Sequence, residues 1–175
     1  LHDPALFSAL AEKQVPKVLW LGCADSRVPE TTICDCKPGD VFVHRNIANV
    51  ITTSDVSAAS VIEYSVTYVG VEHIVVCGHT KCGGANAALG DDNLGETLNE
   101  WLKPVRELRR AHTEELSALG STDEKANRLA ELNVHMSIDA VKKHPAVVKA
   151  VQAGSLKVHG VIYDIPEGSL KVLEV

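Results

Sequence analysis

Two short apolar runs limit what this chain can become. "KVLWLGC" (Lys17–Cys23) and "HIVVCGH" (His73–His79) carry almost no polar alternation. A strand with one wet face alternates, whereas a strand buried on both faces does not. Both runs therefore predict interior strands of a parallel sheet with helices packed on either side. The rest of the chain fits that plan. "DVFVHR" (Asp40–Arg45) reads as another strand, entered through the turn Pro38–Gly39. From Ser54 to Val69, apolar or small residues fall at Ala58, Val61, Ile62, Ser65 and Val69, the spacing of one helix face, and Gly70 ends it. Asp3 before Pro4 is an N-cap followed by a first helical position, opening a helix to about Lys13. Gly83 to Leu89 reads as a short helix and Asp91–Gly95 as a loop. Helical segments fill Glu96 to Lys143, one of them opened by a capping box at Ser121 and Glu124. "LKVHGVIYDI" (Leu156–Ile165) and "LKVLEV" (Leu170–Val175) are two late strands joined as a hairpin through Pro166–Gly168. The fold class that follows is α/β: a single domain over residues 1–175 with a central, mostly parallel sheet flanked by helices and an antiparallel edge hairpin at the C-terminus.

A chain of 175 residues can bury one real core and does not need two. Its formal charge of −6 gives no electrostatic reason to expect nucleic acid or an anionic membrane as partner. No apolar run approaches the roughly 18 to 20 residues of a membrane span, and no secretory signal is visible. The chain starts at Leu1 rather than Met, which leaves room for a removed leader or N-terminal arm. The five cysteines are Cys23, Cys34, Cys36, Cys77 and Cys82. An odd count argues for reduced thiols, free or metal-bound, rather than a secreted disulfide framework. The expected setting is the cytoplasm, with an organelle as the alternative.

The ends of the two apolar runs carry the chemistry. One stops at Cys23 and the other at His79, and Cys82 follows His79 by three positions. In open α/β sheets, sites form beyond the carboxyl ends of strands. Three soft ligands are thus expected at one rim. Zinc takes thiolate and imidazole in tetrahedral geometry, and three protein ligands leave a fourth position for water, as in catalytic sites. H-x-x-C alone is a weak signal; joined to C-x-D-x-R at a strand end it is much stronger. For "WLGCADSRVP" (Trp20–Pro29) the residues themselves leave three readings: a metal ligand with an ion pair, a nucleophilic thiol over an anion site, or a buried Cys followed by a polar turn.

"CADSR" (Cys23–Arg27) and "GHTKCGG" (Gly78–Gly84) resemble the two zinc motifs of the β-class carbonic anhydrases. "PGDVFVHRNIAN" (Pro38–Asn49), "IEYSV" (Ile62–Val66) and "VHGVIYDI" (Val158–Ile165) resemble that family in order and spacing, so the likeness spans nearly the whole chain. It implies reversible hydration of CO2 to bicarbonate and a proton, on one Zn2+ per chain held by Cys23, His79 and Cys82. Such a zinc lowers the pKa of bound water from roughly 15.7 towards 7. Two thiolates weaken the metal as a Lewis acid, so activity should rise towards mildly alkaline pH. The resemblance gives Asp25 and Arg27 the catalytic roles of a gate. Asp25 orients the attacking oxygen or swings in as a fourth ligand in a closed state, and the Arg27 fork opposes that swing.

The family's substrate contacts carry over onto Gln14, nine residues before Cys23, onto Phe42, Ile47 and Tyr64 as an apolar CO2 pocket, and onto Gly83 as a backbone donor to bicarbonate. Part of the family's pocket comes from a second subunit, which implies that this chain forms a homodimer and, from it, a tetramer. Trp20, Arg45 and Tyr163 match a non-catalytic bicarbonate pocket of a regulated subgroup. Without the resemblance, Phe42, Ile47, Tyr64 and Trp20 read as plain core and Arg45 as a structural ion pair.

Two rivals remain. A thiol enzyme using Cys23 with Arg27 as its anion site leaves His79 and Cys82 idle, and the familiar phosphate loop spaces its Cys and Arg more widely. A structural-zinc interaction domain with Asp25 as permanent fourth ligand explains the metal but not Gln14 or the apolar pocket. A dinucleotide enzyme is disfavoured, because no strand is followed by G-x-G-x-x-G. Cys77 reads as inert within its strand, and Cys34 and Cys36 are too close for an easy disulfide. His2, His73, His112, His135 and His144 show no partner, and the faces of His44 and His159 stay undecided.

Overall fold

The structure is a computed structural model describing residues 4–175; His2 and the cap expected at Asp3 lie outside the described residues. The elements are α1 (Pro4–Glu12), β1 (Val18–Cys23), α2 (Glu30–Ile33), β2 (Val41–Asn46), α3 (Val56–Tyr64), β3 (His73–His79), α4 (Gly83–Ala88), α5 (Glu96–Ala111), α6 (Thr113–Ser117), α7 (Thr122–Lys142), α8 (Pro145–Gln152), β4 (Lys157–Asp164) and β5 (Ser169–Leu173). The strands form one sheet in the order β2-β1-β3-β4-β5, parallel except for the antiparallel β4–β5 pair. This is the α/β class, with its antiparallel edge hairpin, that the sequence pattern predicts.

The two apolar runs are β1 and β3, side by side in the middle of the sheet. Leu19, Leu21, Ile74 and Val76 are fully buried on the face covered by α3, α7 and α8. Each such side chain contributes roughly 1.5–3 kcal/mol relative to an exposed position. The opposite face carries a smaller cluster of Trp20, Cys77 and Val161, with Val43, Val75, Tyr163 and Ile33 of α2 packed against it. The long helix α7 starts at the expected capping box: the Glu124 N–H donates to Ser121 Oγ (3.1 Å), and the Ser121 N–H donates to Glu124 Oε2 (2.7 Å). It lies so close to β3 that a Cβ on Gly78 would stand 2.8 Å from Val134 Cγ2.

Several details differ from the expectation. The helix predicted to reach Val69 keeps α geometry only to Tyr64; Ser65–Val69 forms a π turn closed by Gly70 at φ 78°. The Ser65 carbonyl there accepts both the Gly70 and the Val71 N–H, at 2.9 and 3.1 Å, which widens the turn. Helices α2 and α8 were not expected. α8 has a legible start, since Pro145 sits at its first turn and the Ala146 N–H donates to His144 Nδ1 (3.3 Å). Histidines without a partner in the sequence reading find one in space: His73 Nδ1 lies 3.1 Å from His159 Nε2, and His112 Nδ1 lies 3.0 Å from Glu115 Oε2.

Candidate metal centre

Cys23 is the last residue of β1 and His79 the last of β3, and the register Gly22↔Cys77 brings both ends out at the same rim. Beyond His79 the chain turns through Lys81, whose φ of 57° is left-handed, and returns Cys82 to the strand end as the cap of α4. The ligand atoms of Cys23, His79 and Cys82 all lie within 4.8 Å of one another, and all three residues are buried.

His79 shows what this group lacks. Its Nδ1 lies 2.9 Å from the Thr80 carbonyl, which fixes the proton on Nδ1 and leaves the Nε2 lone pair turned inwards. Nε2 is buried with no hydrogen-bond partner. Such an orphan costs about 1–3 kcal/mol unless something satisfies it. The two thiols complete the donor set. The Cys82 thiol, as hydrogen-bond donor, holds Cys23 down to about 4 against the opposing effect of burial, with His79 helping. Cys82 is pushed far up, first by the Cys23 thiolate and then by burial, although the Gly84 and Ala85 N–H groups favour its charge. Without a metal the pair therefore holds one proton between two sulfurs. Burial alone would lower His79, but the Cys23 sulfur, the Thr80 carbonyl and Asp25 together raise it. Two sulfurs, one imidazole of fixed tautomer and one unsatisfied inward nitrogen fit zinc.

Asp25 and Arg27 stand at the mouth. Arg27 donates from Nε to Asp25 Oδ1 (3.0 Å) and from Nη2 to Oδ2 (2.8 Å), and its backbone N–H adds a bond to Oδ1 (2.9 Å). The Arg27 side chain, more than any other group, holds the Asp25 carboxyl well below the usual carboxylate range. Asp25 Oδ2 is 3.9 Å from His79 Nε2, but no Asp25 oxygen comes within 4.8 Å of all three of the Cys23, His79 and Cys82 donor atoms. Arg27 Nη2 also donates to the Lys81 carbonyl (3.1 Å), tying the carboxylate to the ligand loop.

The turn after β2 closes the other side. Asn46 pairs with Cys23 across the sheet, and Ala48 and Asn49 follow at φ 60° and 46°. Left-handed backbone costs an L-residue about 1–2 kcal/mol. Four bonds hold the turn. Trp101 Nε1 donates to the Ile47 carbonyl (2.9 Å), Asn133 Nδ2 to the Ala48 carbonyl (2.7 Å) and Ser137 Oγ to the Asn49 carbonyl (3.2 Å), while the Ile51 N–H donates to Ser137 Oγ (3.2 Å). A cavity of about 1000 Å³ opens beside the turn, with Ala24, Asn46, Ile47, Val50 and Trp101 among its walls.

Of the expected substrate residues, Ile47 lines that cavity, whereas Gln14, Phe42, Tyr64 and Gly83 do not; Cys23, Asp25, His79 and Cys82 are also absent from its walls. Gln14 is exposed between α1 and β1. Phe42 stacks on Tyr64 with ring centroids 6.0 Å apart, and Tyr64 meets Tyr68 at 5.7 Å. Gly83 is exposed beside Cys82, with open space where a Cβ would stand. Trp20 and Tyr163 share the small cluster on the thinner face, and Trp20 Nε1 is buried without a partner. Arg45 donates from Nε to the Cys23 carbonyl (2.8 Å) and from Nη2 to the Asp25 carbonyl (2.6 Å), with Nη1 3.6 Å from Glu30 Oε2. Sequence reading missed Asn46, Trp101, Asn127, Asn133 and Ser137. One signal was present: Asn133 and Ser137, one helical turn apart, interrupt an apolar stripe of α7.

The comparisons with known proteins agree on one family. The sequence profile described as "Carbonic anhydrase" matches residues 18–170. A carbonic anhydrase of Emericella nidulans is 46% identical over 174 residues, covering 99% of this chain and 76% of that protein. A tetrameric β-carbonic anhydrase of the ascomycete Sordaria macrospora superposes with a TM-score of 0.97 at 46% identity, covering 99% of this chain and 88% of that one. The β-carbonic anhydrase CafA of Aspergillus fumigatus gives 0.95 at 52% identity, over 98% of this chain and 81% of the other.

Proposed function

The chain belongs to the β class of the carbonic anhydrase family and is an enzyme of that family, and we propose that it interconverts CO2 and bicarbonate on a zinc ion held by Cys23, His79 and Cys82. The observation that carries this assignment is the buried triad with its unpartnered His79 Nε2. Zinc bound there supplies a water whose pKa falls to about 7. Asp25 is ionised at neutral pH and can only accept hydrogen bonds. Asp25 would accept the hydrogen of a water or hydroxyl beside it and so orient that group. Arg27 occupies both Asp25 oxygens and so holds the carboxylate back from the ligand position. In this reading the pair is a gate that stands open, which favours the catalytic role over a structural zinc closed by Asp25. Arg27 is itself spent on Asp25 and Lys81, which disfavours a thiol enzyme using it as a free anion site.

Ile47, Val50 and Trp101 give CO2, a nonpolar gas, an apolar approach, and Gly83 leaves room for bicarbonate beside Cys82. Gln14, Phe42 and Tyr64 act, on this proposal, at the site of a second copy. The aromatic ladder supports a homodimer, since Tyr64 and Tyr68 are 49% and 73% exposed. The tetrameric relative suggests a pair of such dimers. Trp20, Arg45 and Tyr163 form the proposed regulatory pocket. Bicarbonate there would draw Arg45 away from Glu30 and take a bond from the unpartnered Trp20 Nε1. No nucleic acid or membrane partner belongs to this reading, and no helix among the described residues is long and apolar enough to cross a membrane. Five free cysteines favour the cytoplasm or another reducing compartment.

Metal analysis and stopped-flow CO2 hydration of the wild type and Cys23→Ser test the assignment. One zinc per chain with hydration lost in the variant is expected; zinc without hydration at any pH in the wild type would support the structural reading instead.

A further inference from the structure

Three non-glycine residues near the centre hold left-handed backbone: Lys81 between the ligands His79 and Cys82, and Ala48 with Asn49 in the turn after β2. Each has a backbone group bound by a side chain of the same helix, α7. The Lys81 N–H donates to Asn127 Oδ1 (2.9 Å), the Ala48 carbonyl accepts from Asn133 Nδ2 (2.7 Å), and the Asn49 carbonyl accepts from Ser137 Oγ (3.2 Å). Such conformations persist only where the surroundings hold them. Asn133 and Ser137 are 2% and 0% exposed, on a helix whose neighbouring Val134, Ile138 and Val141 already pack on the sheet. Buried polar groups are destabilising unless bonded, and the bonds these two make go to the strained turn. The backbone of Lys81 sets the direction from which Cys82 returns towards His79. The backbone of Ala48 sets how Ile47 meets the cavity.

We propose that Asn127, Asn133 and Ser137 are positioning residues of the site. Asn127 fixes the loop carrying His79 and Cys82, and Asn133 with Ser137 fixes the wall carrying Ile47. The inference rests on the reading of Cys23, His79 and Cys82 as the zinc ligands.

Zinc competition against a chromophoric chelator, stopped-flow kinetics and melting of the metal-free protein provide the test. Asn127→Ala should weaken zinc binding about 10- to 100-fold, the usual effect of losing a group that orients metal ligands. Lys81→Gly in the same chain should restore most of that affinity, because glycine takes left-handed backbone unaided. Asn133→Ala should raise KM for CO2 several-fold with zinc affinity unchanged. Asn133 is buried, so Ser137→Ala, which removes a single oxygen, gives the same readout if Asn133→Ala does not fold. The proposal is overturned if Asn127→Ala leaves zinc affinity intact, or if Lys81→Gly recovers none of the loss. It is also overturned if Asn133→Ala and Ser137→Ala lower only the melting temperature. If the wild type binds zinc but hydrates no CO2, the proposed activity fails, while the Asn127 and Lys81 affinity cycle still decides this inference.

Discussion

Ala48 occupies the space that a side chain on Gly84 would need: a Cβ there would stand 2.8 Å from the Ala48 methyl and 3.3 Å from Ile47 Cγ2. Ala48 belongs to the turn after β2, and Gly84 to the first turn of α4, two residues past Cys82. Neither neighbour is the far end of a flexible chain. Gly84→Ala should therefore destabilise by about 1–3 kcal/mol through overpacking, read as a lowered Tm. Ala48→Gly in the same chain should return part of it; an unchanged Tm in Gly84→Ala would refute the close contact.

Arg27 is expected to matter through Asp25 rather than through charge alone. Arg27→Lys removes the two-pronged grip while keeping a cation. Hydration should fall on the order of tenfold or more, and the Asp25 carboxyl of the metal-free protein should rise back towards its ordinary 3.8. Carboxylate titration by NMR beside stopped-flow rates checks both; full activity in Arg27→Lys would overturn the proposed gate.

Metal loading should release protons. At neutral pH the metal-free centre carries a Cys23 thiolate and a Cys82 thiol, and both must ligate as thiolates. Calorimetry in buffers of different ionisation enthalpy should give at least one proton per zinc at pH 7. Zinc affinity should fall about tenfold or more per pH unit on acidification.

The same two thiols contribute to how the metal-free chain responds to pH. Cys23 is depressed from 9.0 to about 4, so its contribution is complete above pH 9 and is lost as pH falls through 4. Cys82 is raised, so its contribution is complete below pH 9 and is lost above it. Stability from the pair thus climbs from pH 4 to pH 9 and declines beyond. Tm against pH should show that rise in the metal-free wild type and a flatter one in Cys23→Ser.

Tyr68→Glu places a charge on the exposed aromatic ladder without touching Cys23, His79 or Cys82. If a second copy covers Phe42, Tyr64 and Tyr68, light scattering should show a smaller species than the wild type. An unchanged mass would move the subunit contact elsewhere.

What the sequence revealed was local. The β3 bounds are those expected, His73–His79, because a strand buried on both faces leaves an unbroken apolar run. The clustering of Cys23, His79 and Cys82 was legible for a similar reason, since His79 and Cys82 share one loop and Cys23 ends the neighbouring apolar run. Asn127, Asn133 and Ser137 were not, because the backbone groups they bind lie 46, 85 and 88 residues away. The strained turn after β2 and the left-handed Lys81 after β3 were also hidden. Left-handed backbone usually announces itself as glycine, and here it is carried by alanine, asparagine and lysine. Phe42 and Tyr64 show the converse: their residue types fit an apolar pocket, but one chain alone does not bring them to the cavity.

The strand order β2-β1-β3-β4-β5 puts the strands ending in Cys23 and His79 in the interior, each paired on both sides. In native-state hydrogen exchange, edge strands and chain ends open locally at little cost, while central strands open only with the whole molecule. Amide protons of β1 and β3 should thus be the slowest to exchange, and those of β5 far faster. The geometry of the proposed zinc centre then draws on the global unfolding free energy, and the edges can fray or exchange partners without loosening it.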